Sequence, residues 1–375
     1  MKQKNIDFLF VYFNGRQKRL NEGNDSPKEF FYGYHYIKEQ GFKVDILEFG
    51  PGEVNKVLVF IMKFIQNVII KIFKFQYDFA GILRAVNFKK IKSSKNLIIT
   101  NTRIGHSLLP FIIYCKIFKK ELSVTVFAMG MFNSSSNRKI ILKIHKFLHT
   151  FLIKYIDHLL FIGQKEYSHA INEFNKYKDK IQFLPFGIDY DYWSTHETKS
   201  KDFILFIGND SNRDFEFLEE LISETPNKDF VVVSEQFISK HEKFKNLELI
   251  KGSWNKNILN DDFLKNLYKN AKFTIIPLKN SFQPSGQSVA LQSMSMKTPV
   301  IITNTDGFWD SENFKHKENI IFVESNNIKD WSTAMYDLEN DHELYKKLQE
   351  NAQIEIYERL NCNQFGKKLL EIIRE

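Results

Sequence analysis

The chain has 375 residues, of which 43% are hydrophobic and 26% charged. That length exceeds one ordinary core, and the composition excludes a disordered chain, so two domains are expected. The net charge is +8 but unevenly spread: residues 1–197 hold 30 basic and 17 acidic side chains, residues 51–150 hold 17 and 3, and residues 198–375 hold 23 and 28. Only the first half is therefore expected to face an anionic surface. The opening run MKQKNIDFLFVYFNG lacks a small-residue cleavage site and reads as a first strand rather than a signal peptide. Short β-branched or aromatic runs predict strands over 7–13, 43–48, 97–101, 122–128, 158–162 and 181–185. A second series follows over 203–208, 229–234, 247–250, 273–278, 299–303 and 320–323. Helical patterns fall between most of them, which is the signature of open parallel sheets.

Two of the intervening helices are basic and amphipathic. KVLVFIMKFIQNVIIKIFKF (56–75) gathers Lys56, Lys63, Lys71 and Lys74 on one stripe, and KIILKIHKFLHTFLIKY (139–155) presents Lys139, Lys143, Lys146 and Lys154. The plainer reading is two core helices with solvated lysine faces. The scarcity of acids in 51–150 favours docking on an anionic bilayer. No stretch of about 18 apolar residues is free of charge, so no membrane span is expected. The basic segments are aliphatic and lack aromatic interleaving, which argues against nucleic acid. Cys115 and Cys362 show no partnering pattern, and no metal-binding motif is present; a reducing, cytoplasmic compartment and no metal are expected.

A seam runs from Gly187 to Lys201, with Pro185 just before it and the polar run HETKSKD at its end. It divides the chain into a first domain over 1–187 and a second over 188–360, with residues 361–375 as a helix expected to pack back toward the first. Ligands of such sheets bind beyond the carboxyl ends of the strands. The loops to watch are therefore 13–27, 101–107, 129–137, 208–214 and 279–288.

Two of these loops carry an anion-binding pattern. In 284–300, PSGQSVALQSMSMKTPV, small polar residues open an apolar helix. Helix starts leave backbone N–H groups unpaired, and Ser285 and Gly286 would let a phosphate approach closely. The plainer reading is an ordinary serine cap. In the loop GNDSNRD, Gly208 permits a tight turn, and Arg213 stands near a helix start, where a cation is unfavourable unless an anion is bound; the plainer reading is a surface arginine paired with Asp210 or Asp214. Together the loops could hold a diphosphate.

The stretches FLPFGIDYDYW, ILFIGNDSNRDFEFLEEL and FTIIPLKNSFQPSGQSVALQSMSMKTPVIITNTDGFWDS resemble the second domain of GT-B glycosyltransferases, and more narrowly the retaining bacterial enzymes that use nucleotide sugars. The tail from Glu318 to Ala352 matches the closing strand–helix–helix pattern. The resemblance covers most of 181–375; the first domain matches weakly, through its strand layout and the segment EFFYG at 29–33. It implies an α/β GT-B fold of two Rossmann-like, doubly wound domains facing each other across a cleft.

The family places a Glu, seven residues and a second Glu across this loop and helix. Here those positions are Pro284 and Gln292. A branch of the family carries the Gly-Gln form with an Arg-Asp in the preceding loop. The resemblance implies that Gln292 meets ribose hydroxyls, that Gln287 or Ser288 meets the donor sugar, and that Arg213 takes the diphosphate. The Arg usual after the strand's Gly is Asn209. Arg16 or Arg103 from the first domain could compensate for it, and Gly15 and Gly130 could bring backbone near the acceptor. His106 and Glu29 are the candidate acceptor-side bases. Gly252-Ser253-Trp254 is the expected base-recognition segment, with Trp254 stacking on the nucleobase or serving as a half-buried interface residue. Trp309-Asp310 follows another strand end and is a further candidate.

The expected function is transfer of a sugar, with retention, from a UDP- or GDP-linked donor to a lipid-linked or growing saccharide in bacterial surface polysaccharide synthesis (lipopolysaccharide, capsule or similar). The enzyme would work without metal and attach peripherally to the inner face of the cell membrane. The alternatives are a catalytically degenerate nucleotide-sugar-binding scaffold at the membrane, suggested by Pro284, Gln292 and Asn209, and a nucleotide-sugar epimerase on the same architecture.

Overall fold

The structure is a computed structural model that describes residues 6–13, 15–21, 26–49, 56–75, 77, 85–118, 121–133, 138–194, 202–237, 244–252 and 259–375. The chain forms two compact units. The first comprises 1–23, 31–184 and 366–375; the second comprises 24–30 and 185–365. The boundary thus lies at Pro185, slightly before the expected seam. Two short segments depart from the simple division. Residues 24–30 join the second unit, and only 366–375 of the terminal segment join the first.

All twelve expected strands are present. The first unit holds β1 (Ile6–Phe13), β2 (Val44–Phe49), β3 (Ser94–Ile99), β4 (Ser123–Ala128), β5 (His158–Phe161) and β6 (Ile181–Phe183) in the order β2-β1-β3-β4-β5-β6. The second holds β7 (Phe203–Ile207), β8 (Phe230–Val233), β9 (Leu247–Ile250), β10 (Ala271–Ile276), β11 (Val300–Thr303) and β12 (Ile321–Val323) in the order β12-β11-β10-β7-β8-β9. Every pairing is parallel. Sheets covered on both faces need apolar side chains on both, which is why these strands read as near-continuous apolar runs. Leu9, Val11, Leu97, Val124 and Phe161 centre the first core; Phe206, Val232, Ile275, Ile301 and Trp331 centre the second.

The two basic helices of the first unit differ: the second packs Leu152 and Ile153 into the core, and the first buries little. In the helix Lys56–Phe73, Gln66 is the only buried residue among those whose burial is described. Val57, Phe60, Ile61, Phe64, Ile65, Val68 and Ile72 are all exposed, Phe60 by 72%. The helix Lys139–Tyr155 buries Ile141, His149, Leu152 and Ile153 but exposes Ile140, Leu142, Phe147 and Phe151. The first helix is tied to the second at its end, where the His145 imidazole donates to the Phe73 carbonyl at 2.7 Å. Among the described residues, no helix is long and apolar enough to cross a membrane.

Candidate functional site

Strand β7 ends at Ile207, and the chain turns through 208–214 into the helix Phe215–Glu224, capped by the Asp214 carboxylate. Strand β10 ends at Ile276, and its loop leads into the helix Gln287–Ser295. The two loops are stitched together. The Asp214 N–H donates to the Pro277 carbonyl at 3.0 Å, and the Lys279 N–H donates to that of Asn212 at 2.8 Å. The Asn212 amide donates to the Ser285 hydroxyl at 2.7 Å.

This stitching sets the guanidinium of Arg213 between two glycines. A Cβ on Gly208 would fall 2.3 Å from Nε, and one on Gly286 would fall 2.7 Å from Nη1. Neither side has room for a larger residue. Arg213 is 3% exposed. Its Nε is ion-paired with Asp210 at 3.1 Å, but among the described residues neither the buried Nε nor the buried Nη1 has a hydrogen-bond partner. Burial lowers its pKa, but an arginine stays charged.

The helix beside it has no side-chain cap. Its N-cap is Gly286, at φ +78°, not Ser285, whose hydroxyl is engaged by Asn212. The plainer reading of a serine cap is thereby corrected. Uncapped N–H groups and a buried guanidinium with an unmet donor form a concentrated positive site, suited to an anion with several oxygens. Gln287 is buried at the start of this helix, and Ser288 is half-buried.

Other expected donor residues do different work. Asn209 accepts from the Glu235 N–H at 2.6 Å and the Ser234 hydroxyl at 3.1 Å, and donates to the Gly252 carbonyl at 2.9 Å. It clamps the loops after β7, β8 and β9 rather than presenting its amide to a phosphate. Gln292 is buried, accepting from the Tyr268 hydroxyl at 3.0 Å and donating to Glu29 at 2.9 Å. Both ends of its amide are engaged within the protein. Trp309 is buried and stacked on Phe308, and Asp310 is fully buried against Arg359 and Asn313. Both are structural. Ser253 and Trp254 lie outside the described residues.

The two candidate bases are both buried. Glu29 belongs to the second unit, is 2% exposed, and accepts from the Trp193 indole N–H at 2.9 Å. Burial raises its pKa to about 7, against hydrogen bonds that lower it. His106, in the first unit, is buried with its Nε2 3.1 Å from Nδ1 of His149, and Phe75 packs edge-on against its ring. Burial holds its pKa well below the usual histidine value. Both side chains are buried and hydrogen-bonded within the protein.

Arg16 and Arg103 follow the carboxyl ends of the adjacent strands β1 and β3, and Arg103 lies over the Phe13 ring at 5.7 Å. Gly15, at φ +104°, has open space where a Cβ would stand. Gly130, at φ +68°, donates its N–H to Glu166 at 3.1 Å, and Met131 does so at 2.5 Å. The Gly130 amide is therefore committed to shaping its own loop. Glu166 is fully buried, and burial raises its pKa to about 7. Sequence reasoning missed it, because a Glu in the first turn of a helix ordinarily reads as surface.

Residues 196–355 match the family model of glycosyl transferases group 1. The second unit is a group 1 glycosyltransferase domain. The matched segment contains Gly208, Arg213, Gly286 and Gln292. No curated protein matches the chain. Among solved structures, sucrose-phosphate synthase from Thermosynechococcus elongatus superposes with a TM-score of 0.68 at 10% identity, covering 98% of both chains. A glycosyltransferase from Rickettsia africae gives 0.63 at 17% identity, covering 99% of this chain and 98% of that one. HepE of Anabaena, in complex with UDP-glucose, gives 0.65 at 10% identity, covering 98% and 99%. The fold is GT-B, with two Rossmann-like domains, and the chain is a glycosyltransferase.

Proposed function

We propose that this glycosyltransferase takes its sugar from a nucleoside-diphosphate donor, UDP- or GDP-linked, with the diphosphate at Arg213 and the start of the Gln287–Ser295 helix. The observation that carries this is the unmet Nη1 donor of Arg213 beside an uncapped helix start. HepE is solved with UDP and with UDP-glucose, which supports the same class of donor here. Breaking the bond between the anomeric carbon and the phosphate oxygen leaves a negative charge on the diphosphate. The guanidinium and the helix N–H groups would stabilise that charge as it develops. Transfer with retention is proposed, the departing phosphate helping to remove the acceptor's proton. With this fixed positive charge in place, the reaction is proposed to run without a metal, and activity should survive a chelator.

The acceptor is proposed to be a lipid-linked or growing saccharide of a bacterial surface glycan, met at the inner face of the membrane. The exposed apolar side chains of the Lys56–Phe73 helix, interleaved with exposed Lys63 and Lys71, support this. Lys74, Lys139 and Lys143 are exposed as well. Lys146 is paired with Glu173, and Lys154 lies over the Tyr155 ring; both are less available to lipid headgroups. Of Lys56 no side-chain placement is described.

The first test is thermal stabilisation by UDP and by GDP, on the wild type and on Arg213→Ala. A shift with one nucleotide, lost in the variant, is expected; no shift with either would overturn the donor assignment. Co-sedimentation with anionic but not zwitterionic vesicles, weakened by salt, tests the membrane reading; equal binding to both would overturn it.

A further inference from the structure

We infer that Glu29 and Gln292 are a matched pair that positions the helix Gln287–Ser295, and that an amide stands at 292 because a carboxyl group stands opposite it. The inference rests on the reading of that helix as the diphosphate site. It concerns buried side chains that hydrogen-bond to one another on and beside that helix.

The side chains at issue are all deeply buried: Glu29 is 2% exposed, Gln292 7%, Tyr268 1% and Trp193 1%. Gln292 must accept at one end and donate at the other. Its carbonyl oxygen accepts from the Tyr268 hydroxyl at 3.0 Å, and its NH2 donates to Oε1 of Glu29 at 2.9 Å. The same oxygen of Glu29 accepts from the Trp193 indole at 2.9 Å, and Oε2 lies 3.4 Å from the Asp189 N–H. Every one of these donors to Glu29 is neutral. The charged and titratable groups that bear on the carboxyl are Asp189, which is shadowed by Lys28, the phenols Tyr192 and Tyr268, and the buried thiol of Cys362. Asp189 adds to the negative charge. Tyr268 lies within the field of Arg213, so the network runs from Glu29 to the neighbourhood of the diphosphate ligand.

An ionised carboxylate at 292 would accept from Tyr268 equally well. It would also put two carboxylates in hydrogen-bond contact in a buried site, where both cannot stay ionised. One of them would have to hold a proton at neutral pH or the helix would have to move. An amide removes the conflict, because it donates at the end that faces Glu29. The Gln at 292 is thus a consequence of the Glu at 29, brought to it from 263 residues away in the chain.

The experiment compares wild type, Glu29→Gln, Gln292→Glu and the exchanged pair E29Q/Q292E. Affinity for UDP and GDP is read by calorimetry at pH 6 and pH 8, with unfolding midpoints alongside to confirm folding. Gln292→Glu should weaken binding tenfold or more at pH 8 and by less at pH 6, where one carboxyl can hold a proton. Glu29→Gln should stay within about threefold of wild type, since an amide still accepts from Gln292 and Trp193. The exchanged pair should recover only part of the loss at pH 8, because the NH2 at position 29 that donates to the new carboxylate takes the place of the oxygen that accepts from the Trp193 indole. Wild-type affinity in Gln292→Glu at both pH values, or a loss that is equal at pH 6 and pH 8, would overturn the positioning role. Absence of wild-type binding to either nucleotide would overturn the donor reading, and the positioning role with it.

Discussion

The Asn212 amide donates to the Ser285 hydroxyl across 2.7 Å and so joins two loops 73 residues apart in sequence. The contact is buried and is made by one neutral donor and one neutral acceptor. Beside it lies the Arg213 guanidinium, confined between Gly208 and Gly286. A double-mutant cycle over Asn212→Ala and Ser285→Ala should therefore give a coupling of about 0.5–1.5 kcal/mol in unfolding free energy. Additive losses would show that the loops are held by their backbone bonds alone.

Gly286→Ala combines two penalties. The φ of +78° is strained for any residue with a Cβ, and the new methyl group would lie 2.7 Å from both Arg213 Nη1 and Ile276 Cγ2. A stability loss of about 1–3 kcal/mol is expected, together with loss of nucleotide-induced stabilisation. Calorimetric unfolding with and without UDP or GDP measures both.

Arg213→Met should separate stability from function. The wild-type side chain keeps a charge buried with one ion-pair partner, Asp210, and, among the described residues, two nitrogens without a hydrogen bond. An apolar side chain of similar length removes that cost, so the unliganded protein should unfold at the same temperature or higher, while nucleotide binding is lost. A large destabilisation of the unliganded variant would mean that Arg213 is structural.

The His106–His149 pair should make the first unit sensitive to acid. Burial lowers the His149 pKa to about 3 and that of His106 well below its usual value. Between the ordinary value near 6.5 and these lower ones, the unfolded chain binds protons that the folded chain refuses. Stability is therefore lost as pH falls below about 6.5, by up to about 1.4 kcal/mol per pH unit for each histidine. Glu29 and Glu166, both raised to about 7, act in the opposite sense, favouring the folded state as pH falls from 7 toward 4.5. The clean measurement is the stability difference between wild type and His106→Leu/His149→Leu. It should shift steadily in favour of the double variant between pH 6.5 and pH 4; a flat difference would mean that both imidazoles protonate in place.

Phe60→Ser/Phe64→Ser should reduce sedimentation with anionic vesicles by tenfold or more while leaving the unfolding midpoint nearly unchanged, since both rings are already exposed to water. A drop in midpoint of several degrees would show that the rings pack against the protein after all.

The sequence by itself determined both sheets, strand for strand, because parallel strands buried on both faces must be apolar runs, and such runs are local. It also singled out the loops after β7 and β10, since glycine and arginine at helix starts stand out within a few residues. Only the tertiary structure decided what faces what. Gln292 reads as a ligand until Glu29, 263 positions away, is found against its amide. Asn209 reads as a weakened phosphate contact until Ser234, Glu235 and Gly252 are found around it. His106 reads as a base until His149 and Phe75 close over it. Periodicity reports which side of an element is apolar. The partner of a buried polar group is set by long-range contacts, and a single chain's residue order does not encode those separately from the fold.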